Sequence, residues 1–214
     1  MKNVILNWSQ GAYRNFSRVP FIFVLILIEI YFFINGSAHF PNWDSGYGNL
    51  IMIYIMMTLF FLVWAKRSTE RQMDRPFKDS IIWFVFFFIG TYIFMLFASA
   101  LGLFSAPTLP GSLFWPTVIV QICVVATAEE LMFRGVILSW FGIIISAILF
   151  AFWHGYAYGM VYYQGQFMWS SVAFALVMGL ILGLIAKHPK WGIVACIGVH
   201  SCYNCYISGI FMSF

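Results

Sequence analysis

Apolar residues in this chain come in long runs separated by short polar connections, without two-residue alternation. The runs fall at about 20–35, 48–65, 81–104, 113–138, 142–160, 168–186 and 191–212. A helix of roughly 17–25 apolar residues spans the ~30 Å hydrocarbon core of a bilayer, whereas barrel strands would alternate polar and apolar positions. In lipid the backbone must satisfy its own hydrogen bonds, which a helix does within one segment. The pattern therefore predicts an all-α, polytopic membrane helix bundle of about seven transmembrane helices, forming a single integral-membrane domain over 1–214. No linker, fixed-period repeat or low-complexity stretch divides it.

Composition agrees. The chain is 63% hydrophobic and 8% charged, more apolar surface than a soluble domain can hide. Charge then predicts orientation. Lys2, Arg14 and Arg18 precede the first run; Lys66, Arg67, Arg71, Arg75 and Lys78 fill the second connection; Arg134 lies near the fourth; Lys187 and Lys190 fill the sixth. The first, third and fifth connections carry no Lys or Arg. By the positive-inside rule this places the N-terminus in the cytoplasm and the C-terminus outside, in a multi-pass protein of the cell membrane. The formal charge of +4 reflects topology and anionic lipid. No nucleic-acid-binding motif is present, and the oligomeric state is not legible.

The first run has a signal-like start and Gly36-Ser37-Ala38 after it, but Glu29 interrupts its apolar centre, so it reads as a signal anchor. Residues 2–18 and the basic stretch 66–80 suit lipid headgroups. The segments 36–47 and 155–167, rich in Gly, Tyr and Trp, read as interfacial loops, and Pro107, Pro110 and Pro116 mark the entrance to the fourth helix. The four cysteines fall inside predicted helices, which argues against a disulfide framework; Cys202 and Cys205 read as apolar filler. Glu29 has no assigned role, and His39 and His188 fall in loops.

Three strings carry the chemistry: Glu129-Glu130-Leu-Met-Phe-Arg134, Phe150-Ala-Phe-Trp-His154 and His200-Ser-Cys-Tyr-Asn204. Ionisable groups inside apolar helices usually line a functional cavity, because charge in hydrocarbon is costly. Glu129 and Glu130 are adjacent and point about 100° apart on a helix, so they take different roles. Glu130 and Arg134 have ion-pair spacing. Glu129 is then left without a local partner, placed to act as general base or acid. Phe150 would flank His154 at four-residue spacing. His200 and Asn204 share a face and present two polar side chains, the equipment an oxyanion needs.

Depth adds a second argument. A tight hairpin at Ser139 to Gly142 lies midway between Glu129 and His154. At ~1.5 Å per residue, Glu129, His154 and His200 then sit roughly 15–18 Å from the cytoplasmic ends, at one level near mid-bilayer.

These motifs, EExxxR, FxxxH and HxxxN with Gly135 after the arginine, resemble those of the CPBP family of CAAX-processing and bacteriocin-processing intramembrane proteases. The likeness covers about 113–212, the motif-bearing catalytic core. It implies a glutamate-type intramembrane endopeptidase acting on a membrane-associated protein or peptide. Glu129 and His154 would activate water, His200 and Asn204 would stabilise the oxyanion, and Glu130 and Arg134 would support the helix. The connection from Arg134 to Phe150 is shorter than the family leads one to expect.

Other readings stand beside these. The Glu130–Arg134 pair, His154, His200 and Asn204 all have structural alternatives as helix-bridging groups. Glu129, His154 and His200 are acceptable zinc ligands, but HExxH is absent, so no cofactor is expected. The same fold could serve a non-catalytic scaffold or bacteriocin self-immunity protein, or a small ion-coupled transporter.

Overall fold

The computed structural model describes residues 77–103, 114–162, 169–188 and 191–207, with the separate positions Leu27, Tyr31, Ile34, Asn35, Tyr54, Ile55, Met57 and Thr58. Every element among the described residues is helical. The expected runs 20–35 and 48–65 lie almost wholly outside them, as do Glu29, His39, most of the basic stretch, and the chain beyond Ile207.

Helix α1 is Phe77–Ala100. It begins four residues before the expected run, because Lys78 and Asp79 are accommodated in its first turn; Asp79 there complements the positive end of the helix dipole. It ends in a Schellman motif. Gly102 takes a left-handed φ of 72°, its N–H donates to Ser99 at 2.8 Å, and Leu103 donates to Ala98 at 3.0 Å. Most of α1 faces outward, with Phe86, Ile93, Phe94 and Phe97 exposed as a lipid-facing helix requires.

The next run contains short helices α2 (Phe114–Ile119) and α3 (Thr127–Glu130), with the π-helical segments Val120–Ala126 and Leu131–Ile137 after each. Such widened turns cluster at functional positions. Apolar patterning cannot reveal them, since they alter hydrogen-bond register and not composition. Pro116 falls in the first turn of α2, where its missing N–H costs nothing.

Helix α4 is Leu138–Tyr162, broken at Gly142. Gly142 has φ 84° and ψ −179°, a conformation nearly restricted to glycine. Here the chain reverses, as the hairpin expectation required. Across the turn Ser146 Oγ donates to the Phe133 carbonyl at 2.7 Å, and the Phe133 and Phe150 rings meet edge-on at 5.1 Å. The helix then continues to Tyr162, so the start of the expected loop 155–167 is helical.

Helices α5 (Trp169–Lys187) and α6 (Gly192–Ile207) complete the bundle. Small residues allow close crossings. A Cβ on Gly179 would lie 2.9 Å from the Ala147 Cα, and one on Gly183 would lie 2.8 Å from Ile143 Cγ2, which seats α5 against the start of α4. A Cβ on Gly198 would lie 2.6 Å from the Phe84 carbonyl oxygen, which seats α6 against α1. Phe133, Phe150, Leu182, Ala195 and Cys196 belong to the core these crossings enclose. A second cluster joins Tyr54 and Ile55 to Val120, Val124 and Ala128. All four cysteines are buried free thiols. His188 stacks on Trp191 at 3.8 Å in the α5–α6 turn.

Among the described residues, two stretches are long and apolar enough to cross a membrane, Lys78–Ala100 and Val120–Gly155, the second being the hairpin read through its turn.

Candidate active site

Glu129 and Glu130 occupy the end of α3, between the two π segments, and are 2% and 0% exposed. A buried carboxylate needs hydrogen-bond donors. Glu129 has them, which corrects the expectation that it lacks a partner. Its Oε1 accepts from the Tyr54 hydroxyl at 2.8 Å and from the Trp153 indole N–H at 3.0 Å. Both donors come from other segments, where local helix spacing could not reveal them. Its Oε2 receives no hydrogen bond from the described residues. That oxygen faces two imidazoles, with His154 Nε2 at 3.5 Å and His200 Nε2 at 3.7 Å.

Each imidazole is fixed from behind. His154 Nδ1 lies 2.9 Å from the Phe150 carbonyl, one turn back in α4. A carbonyl can only accept, so Nδ1 carries the hydrogen and the neutral ring presents a lone pair at Nε2. His200 Nδ1 lies 2.8 Å from Glu130 Oε1, which likewise places a hydrogen on Nδ1. Glu130 is therefore more than a mate for Arg134. Its Oε1 also forms an ion pair with Arg134 Nη1 at 3.2 Å, within one helical turn as the spacing predicted.

Arg134 is fully buried and is a bundle charge, not a loop charge marking topology. Its guanidinium lies 4.0 Å from the centre of the Phe150 ring, a cation–π contact. The same ring flanks His154 at 4.2 Å and meets His200 edge-on at 5.6 Å. Phe150 thus touches three of the polar residues and holds their relative positions.

Glu129, His154 and His200 converge as their predicted common depth required. Each offers one ligand atom, and the three atoms lie within 4.8 Å of one another, so these are the described residues able to hold a metal ion. Asn204 is buried one turn beyond His200, with no hydrogen bond to Glu129, Glu130, His154 or His200 among the described residues. The structure brings five of the six expected residues into direct contact and leaves Asn204 adjacent.

Beside the imidazoles opens a cavity of about 320 Å³. Its walls are mainly apolar, from Phe174, Ala175, Met178 and Leu182 of α5 and Tyr203 and Ile207 of α6, and His154 and His200 line its polar end.

Residues 111–206 match the family model described as type II CAAX prenyl endopeptidase Rce1-like. Over that span the chain is similar to the CPBP family of CAAX-processing intramembrane proteases. No curated protein and no solved structure matches the chain. The CPBP span contains Glu129, Glu130, Arg134, Trp153, His154, His200 and Asn204; Tyr54 lies outside it. That family consists of membrane-embedded proteases, and the apolar helices of this chain fit membrane insertion.

Proposed function

We propose that this protein is an intramembrane endopeptidase that hydrolyses a peptide bond in a membrane-associated protein, using water activated by Glu129 and His154. The observation that carries the reading is the convergence of Glu129 Oε2 with two imidazole Nε2 atoms whose opposite nitrogens are already committed. One water oxygen at hydrogen-bond distance can donate to both Glu129 Oε2 and His154 Nε2. Its proton passes to Glu129 as the oxygen attacks the scissile carbonyl carbon. The resulting tetrahedral oxyanion is stabilised by donors on α6. The proton then moves to the amide nitrogen, the C–N bond breaks, and a carboxylic acid and an amine leave.

His200 is placed as the first of these donors: Glu130 holds its Nδ1 at 2.8 Å, which turns Nε2 toward the reacting atoms, 3.7 Å from Glu129 Oε2. Asn204, one turn on, is the second donor once substrate is in place.

The apolar cavity beside the imidazoles suits an apolar portion of a substrate entering from lipid. The matched family's description makes prenylated CAAX peptides the first substrate class to try. In the membrane, the amino terminus and the Lys187 end of α5 are cytoplasmic in this reading. The test compares membrane peptides in cells carrying wild type and Glu129→Gln, together with a farnesylated CAAX peptide offered to purified protein in nanodiscs. A product that depends on Glu129 is expected. If no peptide changes length between the two strains and the purified protein only binds, the fold serves as a scaffold.

A further inference from the structure

We propose that Tyr54 and Trp153 are positioning residues that grip Glu129 by Oε1, so that Oε2 alone is presented to water and the two imidazoles. The inference rests on the catalytic reading of Glu129. A carboxylate has two equivalent oxygens and a freely turning final torsion. Left unheld, Glu129 would offer either oxygen in several orientations. Here both oxygens have distinct surroundings. Oε1 accepts two hydrogen bonds, 2.8 Å from Tyr54 Oη and 3.0 Å from Trp153 Nε1, while Oε2 faces His154 and His200.

The grip is itself held. The Tyr54 and Trp153 rings meet edge-on at 6.4 Å, so each limits the other's rotation. Tyr54 is 6% exposed and packs with Ile55, Val120, Val124 and Ala128. Thr58 Oγ1 donates to the Tyr54 carbonyl at 3.1 Å. Trp153 neighbours His154 in sequence, and Phe150, whose carbonyl holds His154, lies one turn back in α4. Glu129 and His154 are thereby oriented through adjacent residues of one helix. The arrangement also gives the segment around Tyr54, which carries none of the three motifs, a direct part in the site. Both donors are neutral and apolar-bodied, so they fix the carboxylate without adding a charge that would compete with the imidazoles.

The experiment has a readout that needs no substrate. The infrared difference between wild type and Glu129→Gln in detergent isolates the Glu129 carboxylate bands. Tyr54→Phe and Trp153→benzothienylalanine each remove one donor while keeping ring shape. Each is expected to shift those bands, with the thermal midpoint close to wild type. With a farnesylated CAAX peptide as probe, each is expected to lower kcat about ten- to hundred-fold with KM little changed, as loss of a hydrogen bond to a charged group implies. Unshifted carboxylate bands in both variants overturn the proposal whatever the substrate. So does wild-type kcat in both variants alongside an inactive Glu129→Gln. An active Glu129→Gln overturns the catalytic reading as well, and so separates the two failures.

Discussion

His200 and Glu130 lie 70 residues apart, yet His200 Nδ1 sits 2.8 Å from Glu130 Oε1. The second glutamate of the pair is therefore tied to the chemistry through α6 as well as to Arg134. Glu130→Gln keeps an oxygen acceptor but removes the charge that both partners face. Leaving Arg134 buried without its counter-ion is expected to cost about 3–5 kcal/mol. It should also release His200 from its fixed tautomer. Thermal unfolding in detergent should show a lower midpoint, and turnover should fall further than instability alone explains. Full stability in this variant would remove the ion pair from the structural argument.

Close crossing of α1 and α6 gives a second expectation. A methyl on Gly198 would meet the Phe84 carbonyl oxygen at 2.6 Å, and backbone cannot swing aside as a flexible side chain can. His200 is two residues further along α6. Gly198→Ala should therefore destabilise the bundle by roughly 1–3 kcal/mol, as overpacking does, and should lower turnover by displacing His200. The thermal midpoint and kcat of the purified variant check both effects. An unchanged midpoint would mean that the helices separate at no cost.

Much of this site was legible in sequence because its strongest relations are local or follow from depth. Glu130 with Arg134, and Phe150 with His154, are single-turn spacings. The Gly142 hairpin follows from a glycine placed midway between two polar strings. Tyr54 was not legible: its donor role depends on how a motif-free segment docks, and nothing near it in sequence encodes a partner 75 residues away. The Glu130–His200 contact was hidden for the same reason. Treating Glu129 as unpartnered was the natural error of counting only helical neighbours. Helix ends were misjudged where charged or glycine-rich turns remain helical, at Lys78 and beyond Gly155. The π segments were invisible because apolar composition carries no information on hydrogen-bond register.

Three ligand atoms within 4.8 Å make metal dependence a direct question. In the proposed mechanism the carboxylate and imidazole polarise water themselves. Protein stripped with a strong chelator and assayed in metal-free buffer should cleave at its original rate, and elemental analysis should find no stoichiometric zinc. Loss of cleavage on chelation with recovery on added zinc would transfer water activation to an ion held by Glu129, His154 and His200.

Asn204 provides the sharpest test of enzyme against scaffold. It is buried on the face of α6 that carries His200, one turn further on, and no hydrogen bond commits it to the other site residues among those described. A donor held in reserve for the transition state would look like this. Its loss should then weaken the oxyanion more than the ground-state complex. Removing one such donor typically lowers kcat on the order of 10²–10³-fold. Asn204→Ala should therefore bind a farnesylated CAAX peptide almost as wild type does and turn it over very slowly. Nanodisc-reconstituted protein permits both measurements, affinity at equilibrium and rate in a single turnover. If Asn204 served only to bridge helices, the thermal midpoint would fall while the single-turnover rate of the folded fraction stayed at the wild-type value. A scaffold would lose binding without ever yielding a Glu129-dependent product. Only a selective loss of rate, with affinity and midpoint retained, fits an oxyanion donor.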